Sequence, residues 1–303
     1  MVQRMASGPD ITPAESRARM DELDRFPRPR HVDYADVTLD TANGPVPAIV
    51  ATPTATPPVR HILYIHGGAY ISGSPRSHVA MVARLAKRAS ATATLIDYRL
   101  APEHPYPAAI DDCVAAYRVL IADVDPKLVT IAGDSAGGGA TLATACRLRD
   151  EGDPLPGALY TMSPWTDLSG SGESVVGRQA LDPMLDGSQL VDSARLYAVD
   201  VALDDHGVSP LFADLAGLPP LLVQTGTDEI LLSDSTRLAE RATAAGVDVT
   251  LDLADDMWHV YQAFAGYVPE ATQALIRAAV FIRAHTPAPF TAGGAPTVSS
   301  LGS

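Results

Sequence analysis

The stretch IAGDSAGGGATL, from Ile131 to Leu142, lies a little before the middle of a chain of 303 residues. It holds four glycines and one serine between an apolar run, LVTIA, and a run of small residues, ATLATAC. A glycine-rich turn of this kind can bind a phosphate, act as a flexible linker or carry a nucleophile. The spacing of its residues and the segments on either side decide among the three.

The glycine spacing does not match the two common phosphate-binding patterns. A P-loop needs a lysine directly after its last glycine, and no lysine follows here. A dinucleotide-binding turn needs G-x-G-x-x-G, whereas Gly133 and Gly137 stand four residues apart with a serine between them. The pattern G-x-S-x-G does match, with Ser135 at its centre. In that motif the serine occupies a sharp turn between a strand and a helix, so we expect a nucleophile at Ser135, with a plain tight loop as the alternative.

A second glycine-rich turn, H-G-G-A-Y at residues 66–70, directly follows the apolar run HILYI. Glycines let backbone N–H groups approach a ligand closely. A serine that attacks an ester carbonyl creates an oxyanion, and preorganised N–H groups stabilise it. This turn therefore indicates an oxyanion-binding loop, whereas the alternative is an ordinary turn after a strand.

A carboxylate candidate follows the apolar run PLLVQTG. Asp228 stands immediately past that run, where it could accept a hydrogen bond from a histidine Nδ1–H and fix the tautomer of the ring. Glu229 and Asp234 are alternatives, but Glu229 also suits an exposed surface charge and Asp234 a helix cap. The position of Asp228 immediately past the apolar run favours it over the two alternatives as the acid that orients the histidine.

The candidate base is His259, which follows the last apolar run, VDVTLDL. A serine nucleophile needs a base of near-neutral pKa that can also return the proton to the leaving group. His259 alone completes the chain order serine, acid, histidine. Six of the other histidines are expected to be surface or packing residues: His31, His61, His78, His104, His206 and His285.

The rest of the chain alternates short apolar runs with helical stretches, a pattern typical of βαβ units and a parallel sheet covered on both faces. HVDYADVTL and VPAIVA, joined at Asn43-Gly44-Pro45, predict an antiparallel hairpin at a sheet edge. The expected fold class is α/β: a mostly parallel eight-stranded sheet with helices on both faces and a helical cap.

Three segments do not follow this alternation of strands and helices. We expect residues 1–30 to contribute an N-terminal cap helix, and residues 31–285 to form the main domain with a cap insertion at about 165–210. The insertion contains a helix candidate, GSQLVDSARLYAV. The Pro-, Gly-, Ser- and Thr-rich tail, 286–303, is expected to be disordered.

The composition argues against several kinds of binding partner and cofactor. A net charge of −14 and a pI near 4.8 argue against binding nucleic acid or an anionic membrane. The two cysteines have neither disulfide nor metal-site spacing, and H-E-x-x-H is absent, so we expect no metal or organic cofactor. With neither a signal-peptide pattern nor a run of about 18 apolar residues, a cytoplasmic location is expected.

With these residues in place, the chain resembles the hormone-sensitive-lipase-like carboxylesterases, also called bacterial family IV, of the α/β-hydrolase superfamily. The resemblance covers about residues 31–285. It rests on H-G-G-A-Y at 66–70, on D-Y-R-L-A-P-E at 97–103, on G-D-S-A-G-G at 133–138, and on an acid and a histidine after the last two strands.

The resemblance implies Ser135 as nucleophile, His259 as base and Asp228 as the orienting acid. It also implies an oxyanion hole built from the turn containing Gly67, Gly68 and Ala69, together with Ala136.

Two departures from the family pattern matter. Ala69 replaces the usual third glycine, and the acid segment reads D-E-I-L-L-S-D instead of D-P-L-R-D. The resemblance further implies that Glu103 supports the scaffold near the glycine-rich turns.

The expected substrate is a small ester with a short to medium acyl group. A lactone or an amide is the alternative on the same triad, and a non-catalytic small-molecule receptor on the same fold is the alternative from another class. The open sheet would allow a homodimer through its edge strands.

Overall fold

The computed structural model describes residues 12–55 and 57–287. The tail expected to be disordered lies outside the described residues from position 288 onward. The sheet order is β1-β2-β4-β3-β5-β6-β7-β8. The strands are β1 (Val32–Thr41), β2 (Gly44–Pro53), β3 (Arg60–Ile65), β4 (Ala91–Ile96), β5 (Val129–Asp134), β6 (Ala158–Met162), β7 (Leu221–Gly226) and β8 (Val249–Ala254).

The sheet is parallel except at one edge. β1 and β2 form the predicted antiparallel hairpin, and β2 pairs antiparallel with β4. All other neighbouring strands run parallel. β5, β6 and β7 are buried along their whole length, which explains why their sequences are apolar without alternation. The predicted fold class is confirmed.

Helices cover both faces of the sheet, with one hydrophobic cluster beneath each layer. α2 and α8 pack on one face; α3, α4 and α7 pack on the other. The helices are α1 (Pro13–Asp21), α2 (Pro75–Ala89), α3 (Ala108–Ile121), α4 (Ala136–Glu151), α5 (Ser174–Gly177), α6 (Gly187–Ala198), α7 (Leu232–Ala244) and α8 (Pro269–His285). No helix in the described ranges is long and apolar enough to cross a membrane.

α4 begins earlier than its run of small residues indicates. Its first residue is Ala136, so the three consecutive glycines 137–139 belong to the first turn of the helix. Each glycine has its own close neighbour: an added Cβ would lie 2.1 Å from the carbonyl oxygen of Ile65 at Gly137, 2.8 Å from Pro164 Cβ at Gly138 and 2.2 Å from the carbonyl oxygen of Trp165 at Gly139. The helix therefore starts directly at the end of β5 and packs close to the loop after β6.

Two segments lie outside the alternating core. α1 forms within residues 1–30, where a helix is expected, and Thr12 and Glu15 make a reciprocal capping box at its N-terminus. In the insertion after β6, α6 forms where its sequence predicts a helix, preceded by the single turn of α5. The carboxyl ends of β3, β5, β7 and β8 meet at one edge of the sheet, so the residues that follow these strands are brought together.

Candidate active site

Ser135 sits at a strained turn between β5 and α4. Its backbone has φ 53° and ψ −122°, values that a non-glycine residue rarely adopts. The turn is closed by small neighbours, since a Cβ on Gly133 would lie 2.3 Å from the carbonyl oxygen of Gly137. A Cβ on Gly137 would lie 2.1 Å from the carbonyl oxygen of Ile65. The spacing G-x-S-x-G is thus required by the close approach of three backbone segments.

His259 pairs with Glu229. Its Nδ1 lies 2.9 Å from Glu229 Oε2, and both side chains are buried. Glu229 is held from other directions as well, because Thr225 donates its hydroxyl to Oε1 and the Ser163 hydroxyl also bonds to the carboxylate. Ser163 in turn accepts the N–H of Val260, the residue after the histidine, at 3.1 Å. These contacts fix the plane and tautomer of the imidazole.

Asp228 does not face His259, and the prediction that it is the acid beside the histidine is wrong. Its side chain is partly exposed and lies 3.9 Å from Arg178, while its backbone N–H is donated to the carbonyl of Met257. Glu229, the alternative that was expected at the surface, is the residue with no exposed area.

Burial and charge act in opposite directions at this pair. Burial alone would lower the pKa of His259, but the hydrogen bond and the negative charge of Glu229 outweigh it and raise that pKa. Burial raises the pKa of Glu229, and the contact with His259 offsets part of the rise. The carboxylate thus favours the imidazolium that would form when the histidine accepts a proton.

The H-G-G-A-Y turn presents two free N–H groups, and a third lies at the start of α4. Within the described part of the chain, no acceptor is bonded to the N–H of Gly68, Ala69 or Ala136. Ala69 adopts φ 54°, so the alanine at the third position keeps the left-handed backbone that the turn requires. A Cβ on Gly68 would lie 2.1 Å from the carbonyl oxygen of Ser72, which explains the glycine there.

Gly67 is not available as an oxyanion donor, and its inclusion in the predicted oxyanion hole is wrong. Its N–H is donated to Asp134 Oδ1 at 3.0 Å. A Cβ at Gly67 would lie 2.3 Å from Asp134 Oδ2, so this glycine is needed for close packing against the carboxylate. Gly67 shapes the turn while the next two residues face the cavity.

A cavity of about 530 Å³ opens above Ser135 and His259. Gly68 and Ala69 also line it. Most of its remaining wall is apolar and comes from the N-terminal segment and the insertion, with Met20, Leu23, Phe26, Leu185, Leu190 and Leu196 among the lining residues. A largely apolar cavity with a few polar groups at one end is typical of a small-molecule site. Among the described residues, no three His, Cys, Asp or Glu side chains are grouped to hold a metal ion.

The N-terminal helix is tied to the glycine-rich turn by Arg17. This arginine makes a bidentate ion pair with Glu103, at 2.9 and 2.6 Å. It also donates to the carbonyls of Ile71 and Ala101. Glu103 therefore lies near the glycine-rich turn as the family resemblance implies, and its partner is a residue of α1 that the sequence did not single out.

Sequence reasoning missed three further groups near the site: Ser163, and the buried pair of Asp134 and His78. Asp134 is the variable residue of the G-x-S-x-G motif, and His78 Nε2 lies 3.3 Å from its Oδ2. A charged residue directly before the nucleophile, at the end of an otherwise apolar strand, was the available signal. Its partner lies 56 positions away in the chain, a contact that no local pattern encodes.

Comparison with known proteins agrees with this fold. Residues 62–263 match a family model described as the alpha/beta hydrolase fold. The chain is 40% identical to an esterase of Acinetobacter venetianus over 281 residues, 92% of this chain and 91% of the relative. It is 41% identical to an acetyl-hydrolase of Streptomyces hygroscopicus, over 75% of this chain and 76% of the relative.

Solved structures give the same result. The crystal structure of an esterase from the bacterial hormone-sensitive lipase family superposes with a TM-score of 0.89 at 40% identity, covering 94% of this chain and 95% of that one. An esterase/lipase from an uncultured bacterium superposes with a TM-score of 0.87 at 38% identity, covering 94% and 95% of the two chains. The chain belongs to the hormone-sensitive-lipase-like, or bacterial family IV, carboxylesterases of the α/β-hydrolase superfamily.

Proposed function

We propose that this protein hydrolyses carboxylic esters through an acyl-enzyme on Ser135, with His259 as base and Glu229 as the orienting acid. The observation that carries the proposal is that His259, paired with the buried Glu229, lines the same apolar cavity as the strained Ser135. A non-catalytic receptor would need the cavity but not the buried carboxylate that orients the histidine. The pairing therefore favours an enzyme.

The geometry suggests how each group acts. Glu229 accepts the Nδ1–H of His259, which leaves Nε2 with a lone pair to take the proton of Ser135. The serine Oγ attacks the ester carbonyl, and the oxyanion accepts hydrogen bonds from the N–H groups of Gly68, Ala69 and Ala136. His259 then gives its proton to the departing alcohol. A water molecule, deprotonated by His259, attacks the acyl-enzyme and releases the acid.

The cavity indicates the size and polarity of the substrate. Apolar side chains from α1, the residues after it and α6 face the catalytic end, which suits an uncharged ester with a short to medium acyl chain. The similarity to an acetyl-hydrolase is consistent with the short end of that range. Because both segments supply the wall, we propose that they form the cap over the site.

Replacement of the nucleophile tests the proposal. Ser135→Ala should lower kcat for p-nitrophenyl butyrate by at least about 10⁴-fold and abolish labelling by a fluorophosphonate, because no other group can form the acyl-enzyme. Ser188→Ala, at an exposed serine of α6, is the matched control and should keep both activity and labelling. If Ser135→Ala retained near-normal turnover with an unchanged circular dichroism spectrum, the proposed mechanism would be refuted.

A further inference from the structure

The carboxylate of Asp134 joins the nucleophile turn to the oxyanion turn. Its Oδ1 accepts the N–H of Gly67 at 3.0 Å and the hydroxyl of Tyr64 at 2.7 Å. Its Oδ2 faces His78 Nε2 at 3.3 Å. Asp134 also directly precedes Ser135, so one buried side chain contacts the loop that carries the oxyanion donors while its own backbone leads into the serine.

The contacts of His78 indicate a doubly protonated ring. Nε2 faces a carboxylate oxygen, and Nδ1 lies 3.2 Å from the carbonyl oxygen of Ser74. Neither oxygen can donate a hydrogen. Nδ1 also lies 2.9 Å from Ser77 Oγ, but that hydroxyl donates its own hydrogen to the Ser74 carbonyl at 2.8 Å. While the Ser77 hydroxyl bonds to the Ser74 carbonyl, both ring nitrogens are donors, which is the imidazolium form; a hydroxyl turned toward Nδ1 would instead fit a neutral ring that donates from Nε2.

We propose that His78 is a positioning residue, and that its imidazolium holds the carboxylate of Asp134 in place and thereby sets the geometry of the oxyanion turn. This inference rests on the proposed function, since it assigns a role in the same site. Asp134 brings a full negative charge close to the place where the oxyanion forms. An adjacent positive charge cancels that field while leaving the carboxylate free to fix Gly67.

The groups that face His78 support a charged ring. In the part of the chain that the structure describes, three titratable side chains face His78: Asp134 of β5, Tyr64 of β3 and His66 of the oxyanion turn. The ring centres of His66 and His78 lie 5.6 Å apart. Burial lowers the pKa of His78, but the charge and hydrogen bond of Asp134 outweigh it, so the pKa is raised. Burial and the neighbouring His78 bring the pKa of His66 to about 3, so His66 remains neutral.

Histidine NMR on the unmodified protein tests the protonation directly. Long-range ¹H–¹⁵N correlation spectra separate the two neutral tautomers from the imidazolium, and His78→Gln assigns the signal among the eight histidines. We expect both nitrogens of His78 to remain protonated at pH 7, above the ordinary histidine pKa of about 6.5. In Asp134→Asn the same ring should become neutral at that pH. A neutral His78 in the unmodified protein at pH 7 would overturn the proposal.

Kinetics test the consequence for catalysis. His78→Gln should lower kcat for p-nitrophenyl butyrate about tenfold or more and leave KM within about twofold, because a displaced oxyanion turn affects the transition state more than substrate binding. The double variant with Asp134→Asn should lose no more than the more affected single variant, since the two residues act as one unit. His206→Gln, at an exposed histidine of the insertion, should behave like the unmodified protein.

The outcomes are distinguishable. A kcat within twofold of normal in His78→Gln, a change in KM alone, or additive losses in the double variant would each overturn the proposal. If the variants fail to fold, the His78 signal is assigned in the unmodified protein through its ring-proton contacts with Tyr64, and those spectra still decide the proposal. Failure of the proposed function would appear instead as a Ser135 that a fluorophosphonate does not label, a result independent of the charge on His78.

Discussion

Glu229 is a carboxylate without exposed surface, and its contacts are those of a group that must stay in one orientation. One oxygen accepts from Thr225 and the other from His259, while the Ser163 hydroxyl also bonds to the carboxylate. An acid held in this way does not need to change its own protonation during turnover. It needs only to keep Nδ1 of the histidine protonated and to stabilise the positive ring.

Glu229→Gln should therefore lower kcat for p-nitrophenyl butyrate by roughly a hundredfold or more. The change also removes the charge that raises the pKa of His259. Because the histidine must be neutral to act as a base, the unmodified enzyme loses activity as pH falls through that raised pKa. In the variant, the acidic limb of the profile of kcat against pH should shift to lower pH.

Asp228→Asn is the matched control, because it makes the same chemical change one residue away, at a side chain near Arg178. It should change kcat by less than twofold and leave the pH profile where it was. A larger loss in Asp228→Asn than in Glu229→Gln would show that Asp228 is the functional acid after all.

At this scale, local sequence patterns predict the residues that obey a motif or a chain order. Ser135 and His259 are of this kind, because G-x-S-x-G and the sequence of serine, acid and histidine point to single positions. The choice between Asp228 and Glu229 depends on which of two adjacent side chains the turn after β7 directs inward. That direction is set by contacts with Thr225, Ser163 and His259, which lie in three different segments.

Among the elements, α1 has the most direct connection to the site. It buries no residue completely, so apolar packing alone holds it weakly. Its fixed points are polar: Arg17 bonds to Glu103 and to two loop carbonyls, and Ser16 donates its hydroxyl to Ser72 at 3.0 Å. Ser72 in turn donates to the carbonyl of Gly68, so the helix touches the oxyanion turn through one intermediary.

Arg17→Gln should loosen α1 over the cavity, because the side chain would lose its bidentate pairing with Glu103. We expect KM for p-nitrophenyl butyrate to rise about threefold to tenfold. The melting temperature should fall only slightly, since an ion pair exposed to solvent adds little to the stability of the fold.

Arg25→Gln is the control for this experiment, because Arg25 follows the same helix but makes only a distant, exposed ion pair with Glu22. It should leave KM unchanged. An Arg17→Gln variant with unaltered KM and kcat would mean that α1 is held by other contacts.

The elements themselves follow from periodicity and end signals. The buried strands read as apolar runs, and α1 and α2 begin at a capping residue followed by proline. The start of α4 could not be read in this way, because three glycines normally argue against a helix. Their position is explained by backbone from two other segments: the end of β3 leaves no room for a side chain at Gly137, and the loop after β6 leaves none at Gly139.

At the scale of the whole molecule, a buried acid links the start of α7 to the loop after β6. Asp234 Oδ2 accepts the N–H groups of Thr166 and Asp167 at 2.7 and 2.8 Å. Its Oδ1 has no partner among the described residues. Burial is the main reason why the pKa of Asp234 is raised to about 7 from an ordinary value of 3.8.

This shift predicts a pH-dependent stability. A carboxyl group whose folded pKa is raised binds its proton more tightly in the folded state, so its contribution is complete below about pH 3.8 and is lost as pH rises to about 7. Between pH 5 and pH 8 the ionisation of Asp234 should cost at most about 3 kcal/mol. Asp234→Asn cannot ionise. The melting temperature of this variant minus that of the unmodified protein should therefore be several degrees higher at pH 8 than at pH 5.

Thermal unfolding followed by circular dichroism at the two pH values measures this difference. Asp192→Asn, at an exposed position of α6, is the control. Its melting temperature should differ from that of the unmodified protein by the same amount at pH 5 and at pH 8. A constant offset for Asp234→Asn as well would mean that Asp234 is already ionised in the folded protein at pH 5.

The overall architecture was the most predictable level, because it averages over many residues. Alternating strands and helices define the layers, and the right-handed connections of a parallel sheet leave few arrangements. The polar contacts beneath the site were the least predictable. Asp134 with His78, and Asp234 with Thr166, join positions more than fifty residues apart, and each depends on backbone placements accurate to a fraction of an ångström.

The early start of α4 has an electrical consequence. The peptide dipoles of its four turns add along the axis and leave about half a positive elementary charge at the N-terminus. That end lies at Ser135 and the N–H of Ala136, where an ester oxygen would become negative. A helix that began at Ala140 would place the same field about 6 Å further away, at a rise of about 1.5 Å per residue. The three glycines thus bring the dipole of a whole helix to the reacting atoms.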